Sequence, residues 1–176
     1  MVPANLLGVS ASPSPTVSWF IPQNTYTTVE FNLSQSTGET LYSTTIQDPI
    51  QNQINSLSLS QEAGILPLVA GQDYQWEIKL VCAQDASGVK QPAIAAHGWI
   101  TYEPPAAELT SQLAQATPEE RYELYAANGY WYDAFQSVLA LRQSGAESLG
   151  GKTQWEALLK HEAVKLGQFA PLPTLK

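Results

Sequence analysis

The sequence predicts an α+β protein, with an antiparallel β-sandwich over residues 1–103 and a small helical domain of about four helices over residues 104–176. Three observations carry that expectation. The run Asp73 to Cys82 places Tyr74, Trp76, Ile78, Leu80 and Cys82 on every second position, with Gln75, Glu77 and Lys79 between them. That is the period of a strand with one buried and one wet face. Other short alternating stretches bounded by turn residues lie on both sides of it. At Glu103-Pro104-Pro105 the β pattern ends and the composition turns to Ala, Leu, Gln and Glu.

Each element follows from local chemistry. Pro3, Pro13, Pro15 and Pro22 surround the apolar patch Val17 to Ile21 and confine it to an edge or to a strand with broken ends, since each proline removes a ladder donor. Thr28 to Leu33 alternates Val29, Phe31 and Leu33 with polar residues. Ser36-Thr37-Gly38-Glu39 turns the chain, and Leu41 to Ile46 returns as the second arm of a hairpin. Ile54 to Leu59 is a further short strand. In Leu68 to Tyr74, Gly71 can take the positive backbone dihedral of a tight corner, and Tyr74 follows three residues later. This looks like the tyrosine corner of immunoglobulin-like and fibronectin-type sandwiches, whose hydroxyl bonds back to the corner backbone. Ala83 to Gln91 reads as a polar loop, and Ala93 to Tyr102 as the last strand.

Helical signals begin after the two prolines. Leu109, Leu113 and Ala116 share one face. Thr117-Pro118-Glu119-Glu120 has the order of a capping box with proline at the first helical position, so a helix opens there and runs to about Ala127, before Asn128-Gly129. Tyr130 to Ser144 is the next, with Trp131, Phe135, Val138 and Leu139 facing inward. Thr153 with Glu156 predicts a second capping box, opening a helix that buries Trp155, Leu158, Leu159 and Leu166 and ends at Gly167.

Composition excludes several function classes. The net charge is −8, split as −6 over residues 1–105 and −2 over the rest, and neither part carries the basic stripe that a nucleic acid demands. No apolar run approaches the roughly 20 residues of a membrane-spanning helix. Cys82 is the single cysteine, so neither an intrachain disulfide nor a cysteine metal cluster is possible, and on a buried strand face it reads as an inert thiol. His97 lacks neighbours at ligand spacing and His161 reads as a solvated helix position, so no metal or cofactor is expected. A nucleophile elbow and a phosphate loop are both missing, Gly150-Gly151-Lys152-Thr153 having no earlier glycine and no preceding strand. Asp73, Glu77 and Asp85 are the acids one would test for glycosidase chemistry, though nothing fixes a separation between two of them.

The aromatic residues are the strongest functional lead. Five Trp and eight Tyr against four Phe favour rings with a polar end, which suit interfaces and sugar stacking. Trp19, Trp76, Trp99, Trp131 and Trp155 are expected in the core. Tyr130, Trp131 and Tyr132 are adjacent on one helix, so at least one is expected at the surface, and this trio is the candidate partner-binding site.

Two resemblances add to this reading. Gly129-Tyr130-Trp131-Tyr132-Asp133-Ala134-Phe135, between two antiparallel helices, resembles a tetratricopeptide repeat, with one unit visible, which implies a helical cap on the sandwich. Val2-Pro3, Asn5-Leu6-Leu7-Gly8, Pro15-Thr16, Trp19 to Pro22, Val29 to Leu33, Gly71 to Cys82, His97 to Ile100 and Glu120 to Phe135 occur in an order resembling the cyanobacterial domain of unknown function 928. That resemblance implies a one-module exported or envelope-associated protein and brings no catalytic residues. Members of that family have a leader and a Cys-containing stretch ahead of the Val-Pro motif, whereas this sequence begins at the motif. Either a leader has been removed, placing the protein in the periplasm or envelope, or it is a shortened cytoplasmic relative. The expected function is a non-catalytic interaction or structural module binding a protein partner. A carbohydrate-binding module is the alternative, and a hydrolase the least supported.

Overall fold

The computed structural model describes residues 7–24, 26–49, 51–81, 94–143, 149–161, 164 and 166–169. Among the described residues seven strands are followed by four α-helices, a mixed α+β protein. The strands are β1 (Leu7–Ser10), β2 (Thr16–Ile21), β3 (Thr28–Gln35), β4 (Thr40–Gln47), β5 (Gln53–Ser58), β6 (Asp73–Val81) and β7 (Ile94–Tyr102). The helices are α1 (Ala107–Gln115), α2 (Pro118–Ala127), α3 (Trp131–Gln143) and α4 (Leu149–Lys160). A five-stranded sheet runs in the order β1-β7-β6-β3-β4, and β2 pairs with β5 in a sheet of two.

The run of alternating aromatic and aliphatic residues does form the middle strand of the larger sheet. In β6, Tyr74, Trp76, Ile78 and Leu80 are buried and the residues between them are not. Cys82 lies outside the described residues, as do Asp85 and the loop that contains it. β6 is antiparallel to β3 and to β7, with Trp76 opposite both Leu33 and Gly98. The corner before it is as expected. Gly71 has φ +75°, and the Tyr74 hydroxyl accepts a hydrogen bond from the Val69 amide at 2.9 Å. β3 and β4 form the expected hairpin.

One feature departs from an all-antiparallel arrangement, and another from two sheets of similar size. β1, for which the sequence shows no alternating pattern, pairs in parallel with β7, Gly8 lying beside Ile100. The second sheet contains only β2 and β5 among the described residues. β2 stops at the residue before Pro22 and starts just after Pro15, the broken-ended strand that the prolines dictate.

One face of the five-stranded sheet holds the core, covered by two different structures. Over β3, Trp19 of β2 stacks on Phe31 with ring centroids 6.2 Å apart. Against β1 and β2 lies α3, which reaches Trp76 of β6 and the Trp99 carbonyl of β7 through Tyr132 and whose Trp131, Tyr132, Ala134, Phe135, Val138 and Leu139 are all buried. The helix is itself backed by α4 through Phe135 against Trp155 at 5.5 Å. Strand and helix residues therefore share one hydrophobic cluster.

The helix-start chemistry holds at α2 and fails at α4. Thr117 accepts from the Glu120 amide while the Glu120 carboxylate accepts from the Thr117 amide, completing the capping box with Pro118 at the first helical position. Bonding to Thr117 holds the Glu120 pKa below its ordinary value. At α4 the helix begins four residues before Thr153, at Leu149, and ends at Lys160 instead of Gly167. Two glycines in a first turn cost only about 1 kcal/mol each, which burial of Trp155, Leu158 and Leu159 offsets. Glu156 consequently pairs with Lys160 one turn on, at 2.7 Å.

Candidate functional site

The trio chosen from sequence is buried in full. Tyr130, Trp131 and Tyr132 are 9%, 7% and 3% exposed, so none of them offers a surface patch. The physical reason is that α3 has cover on more than one side. Tyr132 points into the sheet, Trp131 packs on Phe135 at 5.7 Å, and Tyr130 meets Tyr125 of α2 edge-on at 6.3 Å. Three consecutive rings on a helix can all be buried when separate elements receive them.

What the trio does build is a joint between helix and sheet. Trp76 Nε1 donates to the Tyr132 hydroxyl at 2.7 Å, and that hydroxyl donates onward to the Trp99 carbonyl at 2.9 Å. Burial pushes the Tyr132 pKa far above that of an ordinary tyrosine, so the neutral phenol persists as both donor and acceptor. One residue on, the Asp133 carboxylate accepts from Ser10 Oγ at 2.9 Å and from the Ala11 amide at 2.8 Å, tying α3 to the end of β1. Burial raises the Asp133 pKa, and those two hydrogen bonds pull the other way with smaller effect. Gln136 Nε2 then donates to Ser18 Oγ at 2.7 Å, reaching β2. The helix is thus pinned to both sheets within about one turn.

Gly8 makes this approach possible. A Cβ there would sit 2.6 Å from Tyr132 Cε2 and 2.9 Å from Trp131 Cδ1, so a strand bearing a side chain could not lie so near the rings. An isolated glycine inside a strand is a sequence signal for close approach, and Gly8 and Gly98, which stands opposite Trp76, both carry it.

The remaining candidates are dispersed. Asp73 accepts from Thr101 Oγ1 at 2.5 Å, and Glu77 holds Lys79 at 2.8 Å, a bond that raises the lysine pKa. His97 is exposed and stands across from Glu77 in the sheet register. Among the described residues no three His, Cys, Asp or Glu side chains are placed to hold a metal ion. The open face of the five-stranded sheet carries Trp99, half-buried where a core residue was expected, because it points away from the face bearing Ile100. Among the described strand residues of that open face Trp99 is the one aromatic ring, where a carbohydrate platform would present a row of them.

Two features of the surface are concave or unpaired. A groove of about 630 Å³ between α1 and α2 is lined by Gln112, Ala116, Glu120, Glu123 and Leu124 among others, but Glu120 is committed to the helix cap. The second is β4. Among the described residues this eight-residue strand is hydrogen-bonded to β3 alone, leaving its far edge open. It holds no proline, glycine or charge; the one guarding device it carries is a bulge near its start, where the register with β3 slips and Leu41 is the extra residue, so the regular edge runs from Tyr42 to Gln47. Tyr42, Thr44 and Ile46 are only half-buried, although their partners Leu33, Phe31 and Val29 are fully buried. Leu41, the extra residue of the bulge, is 44% exposed.

A β-rich α+β protein with a helix-braced sheet and, among the described residues, an unpaired edge at β4 is the class so defined. The chain matches the family model described as Domain of Unknown Function (DUF928) over residues 1–174, and it belongs to that family. No curated protein matches it. No helix among the described residues is long and apolar enough to cross a membrane.

Proposed function

We propose that this chain is a non-catalytic protein-interaction module that binds a partner through the open edge of β4. The observation that carries the reading is that edge itself: past the bulge at Leu41, Tyr42 to Gln47 present regular backbone with no further strand beside it among the described residues, next to a half-covered apolar face. Strand addition uses such edges, main-chain hydrogen bonds supplying affinity and alternate side-chain pockets supplying specificity. In this reading the strands form an immunoglobulin-like sandwich whose second layer is completed by α3, and α2 with α3 is its tetratricopeptide-like pair. The host protein is a cyanobacterial one, exported or associated with the envelope, as the family resemblance implies.

The test is affinity capture from an extract of the source organism with the intact chain and with a Leu41→Lys, Thr45→Lys variant. Both substitutions fall on solvent-facing positions of β4. A protein retained by the intact chain and lost by the variant supports the reading. Identical retention by both moves the interaction elsewhere, and retention of polysaccharide alone favours the carbohydrate-binding alternative.

A further inference from the structure

We infer that the occupant of the β4 edge is an extended, basic peptide segment with apolar side chains on alternate positions; this rests on the interaction reading above. Two properties of the edge select those features. Burial on the core-facing side declines sharply from β3 to β4. Val29, Phe31 and Leu33 are fully buried, whereas Ile46, Thr44 and Tyr42 beside them are not. A further strand about 4.8 Å away continues that row, and alternate apolar residues on it meet Tyr42 and Ile46. The Tyr42 ring already leans on Phe31, with centroids 6.4 Å apart, so the new strand extends an existing aromatic contact.

Charge selects the rest. β4 is uncharged along its length, but exposed Glu39 precedes it and exposed Asp48 follows it, and Glu30 stands opposite Thr45 on the solvent face. Lys79, opposite Glu30 across the sheet, is bonded to Glu77 and also interacts with Glu30, so Glu30 is partly compensated while no described cation stands opposite Glu39 or Asp48 in the sheet register. Acids thus mark both ends of the edge, with Glu30 a weaker contribution one strand in. Lysine or arginine at the ends of an incoming strand is attracted to them. A second copy of this chain is disfavoured by the same groups: in antiparallel pairing Glu39 approaches the partner's Asp48 at both ends, and in parallel pairing each acid approaches its own counterpart. Like charges across neighbouring strands are destabilising.

The experiment uses two nine-residue peptides that alternate Val with Thr, one carrying Lys at both ends and the other Glu. Each is titrated into the full chain by calorimetry, with backbone amide exchange recorded for β4. The expected result is that the Lys-ended peptide binds about tenfold more tightly than the Glu-ended one at low salt, with exchange slowed in β4. That preference shrinks at ~1 M salt, where the screening length falls to about 3 Å. It also disappears in a Glu30→Gln, Glu39→Gln, Asp48→Asn variant, whose Asn keeps the positive φ of residue 48 attainable.

Equal binding of the two peptides with protection of β4 overturns the charge selection and leaves the strand-docking reading standing. Binding without protection of β4, or no binding of either peptide, overturns the inference, and the capture experiment then decides the interaction reading separately. A concentration-dependent dimer in sedimentation that is lost in the Leu41→Lys, Thr45→Lys variant overturns it in favour of a second copy.

Discussion

The two ends of the five-stranded sheet are finished in opposite ways. At the β1 end a helix lies over the core face and is fastened by side-chain hydrogen bonds from Tyr132, Asp133 and Gln136. At the β4 end the core face thins to half-buried side chains, and among the described residues the backbone edge past the bulge at Leu41 has no strand beside it. The first arrangement is specific and costly to disturb, because a buried polar group that loses its partner keeps its full desolvation penalty. The second tolerates change, since its side chains have little to lose. The difference separates a part of the molecule that holds the fold from the part we propose receives a partner.

Removing the brace altogether has the largest expected effect. A fragment ending at residue 103 lacks every helix that covers Trp76, Ile100 and Gly8. It is expected to show no cooperative thermal transition and to bind a hydrophobic dye; a sharp two-state melt would mean that the strands form an independent domain, with the helices a separate unit. Gly8→Val comes next. The new side chain meets buried rings at 2.6 and 2.9 Å, and overpacking of this kind costs about 3 kcal/mol. Denaturant midpoints would record it, and a change under 1 kcal/mol would show that β1 can retreat from the helix.

Tyr132→Phe keeps the ring and removes the oxygen that Trp76 Nε1 and the Trp99 carbonyl share. A loss of about 2 kcal/mol is expected from the orphaned groups. Trp19 provides the contrast from the other half of the core, since its buried Nε1 has no hydrogen-bond partner among the described residues. Trp19→Phe should therefore cost less than Trp76→Phe in parallel chemical denaturation.

Asp133 gives the smallest effect, read as a slope. Its folded pKa is raised by burial, so the native state binds a proton more readily than the unfolded chain does. The stabilisation from that proton is complete below the ordinary aspartate value and is lost as pH rises through the raised one. Asp133→Asn retains an acceptor for the Ala11 amide and should flatten the acid-limb pH dependence of stability in that window. An unchanged pH profile would remove Asp133 from the account.

Much of the open half was legible in the sequence and little of the joint was. The period of two in Asp73 to Val81, the Gly71 and Tyr74 corner and the β3–β4 hairpin are local patterns, and each forms as its residues dictate. β1 is not legible, because four residues carry no usable period and their parallel partner lies about ninety residues away. The burial of Tyr130, Trp131 and Tyr132 was not legible, because helical periodicity allows for one covered face while α3 receives cover from the sheets, α2 and α4 together. Thr153 with Glu156 had the spacing of a cap, but packing of Trp155 and Leu159 extended the helix past it. The glycines of β1 and β7 were the available signal of close approach. Openness at β4 could not be read, since an edge strand and a central one-sided strand share the same alternation.

The most direct test is residue-resolved amide exchange on the free protein. The account predicts alternation along β4, with amides bonded to β3 exchanging slowly and those facing outward exchanging near the rate of an unfolded chain, while β6 and α3 are protected throughout. Uniform protection along β4 would show that its edge is already occupied, and would contradict the assignment of that edge as the docking site.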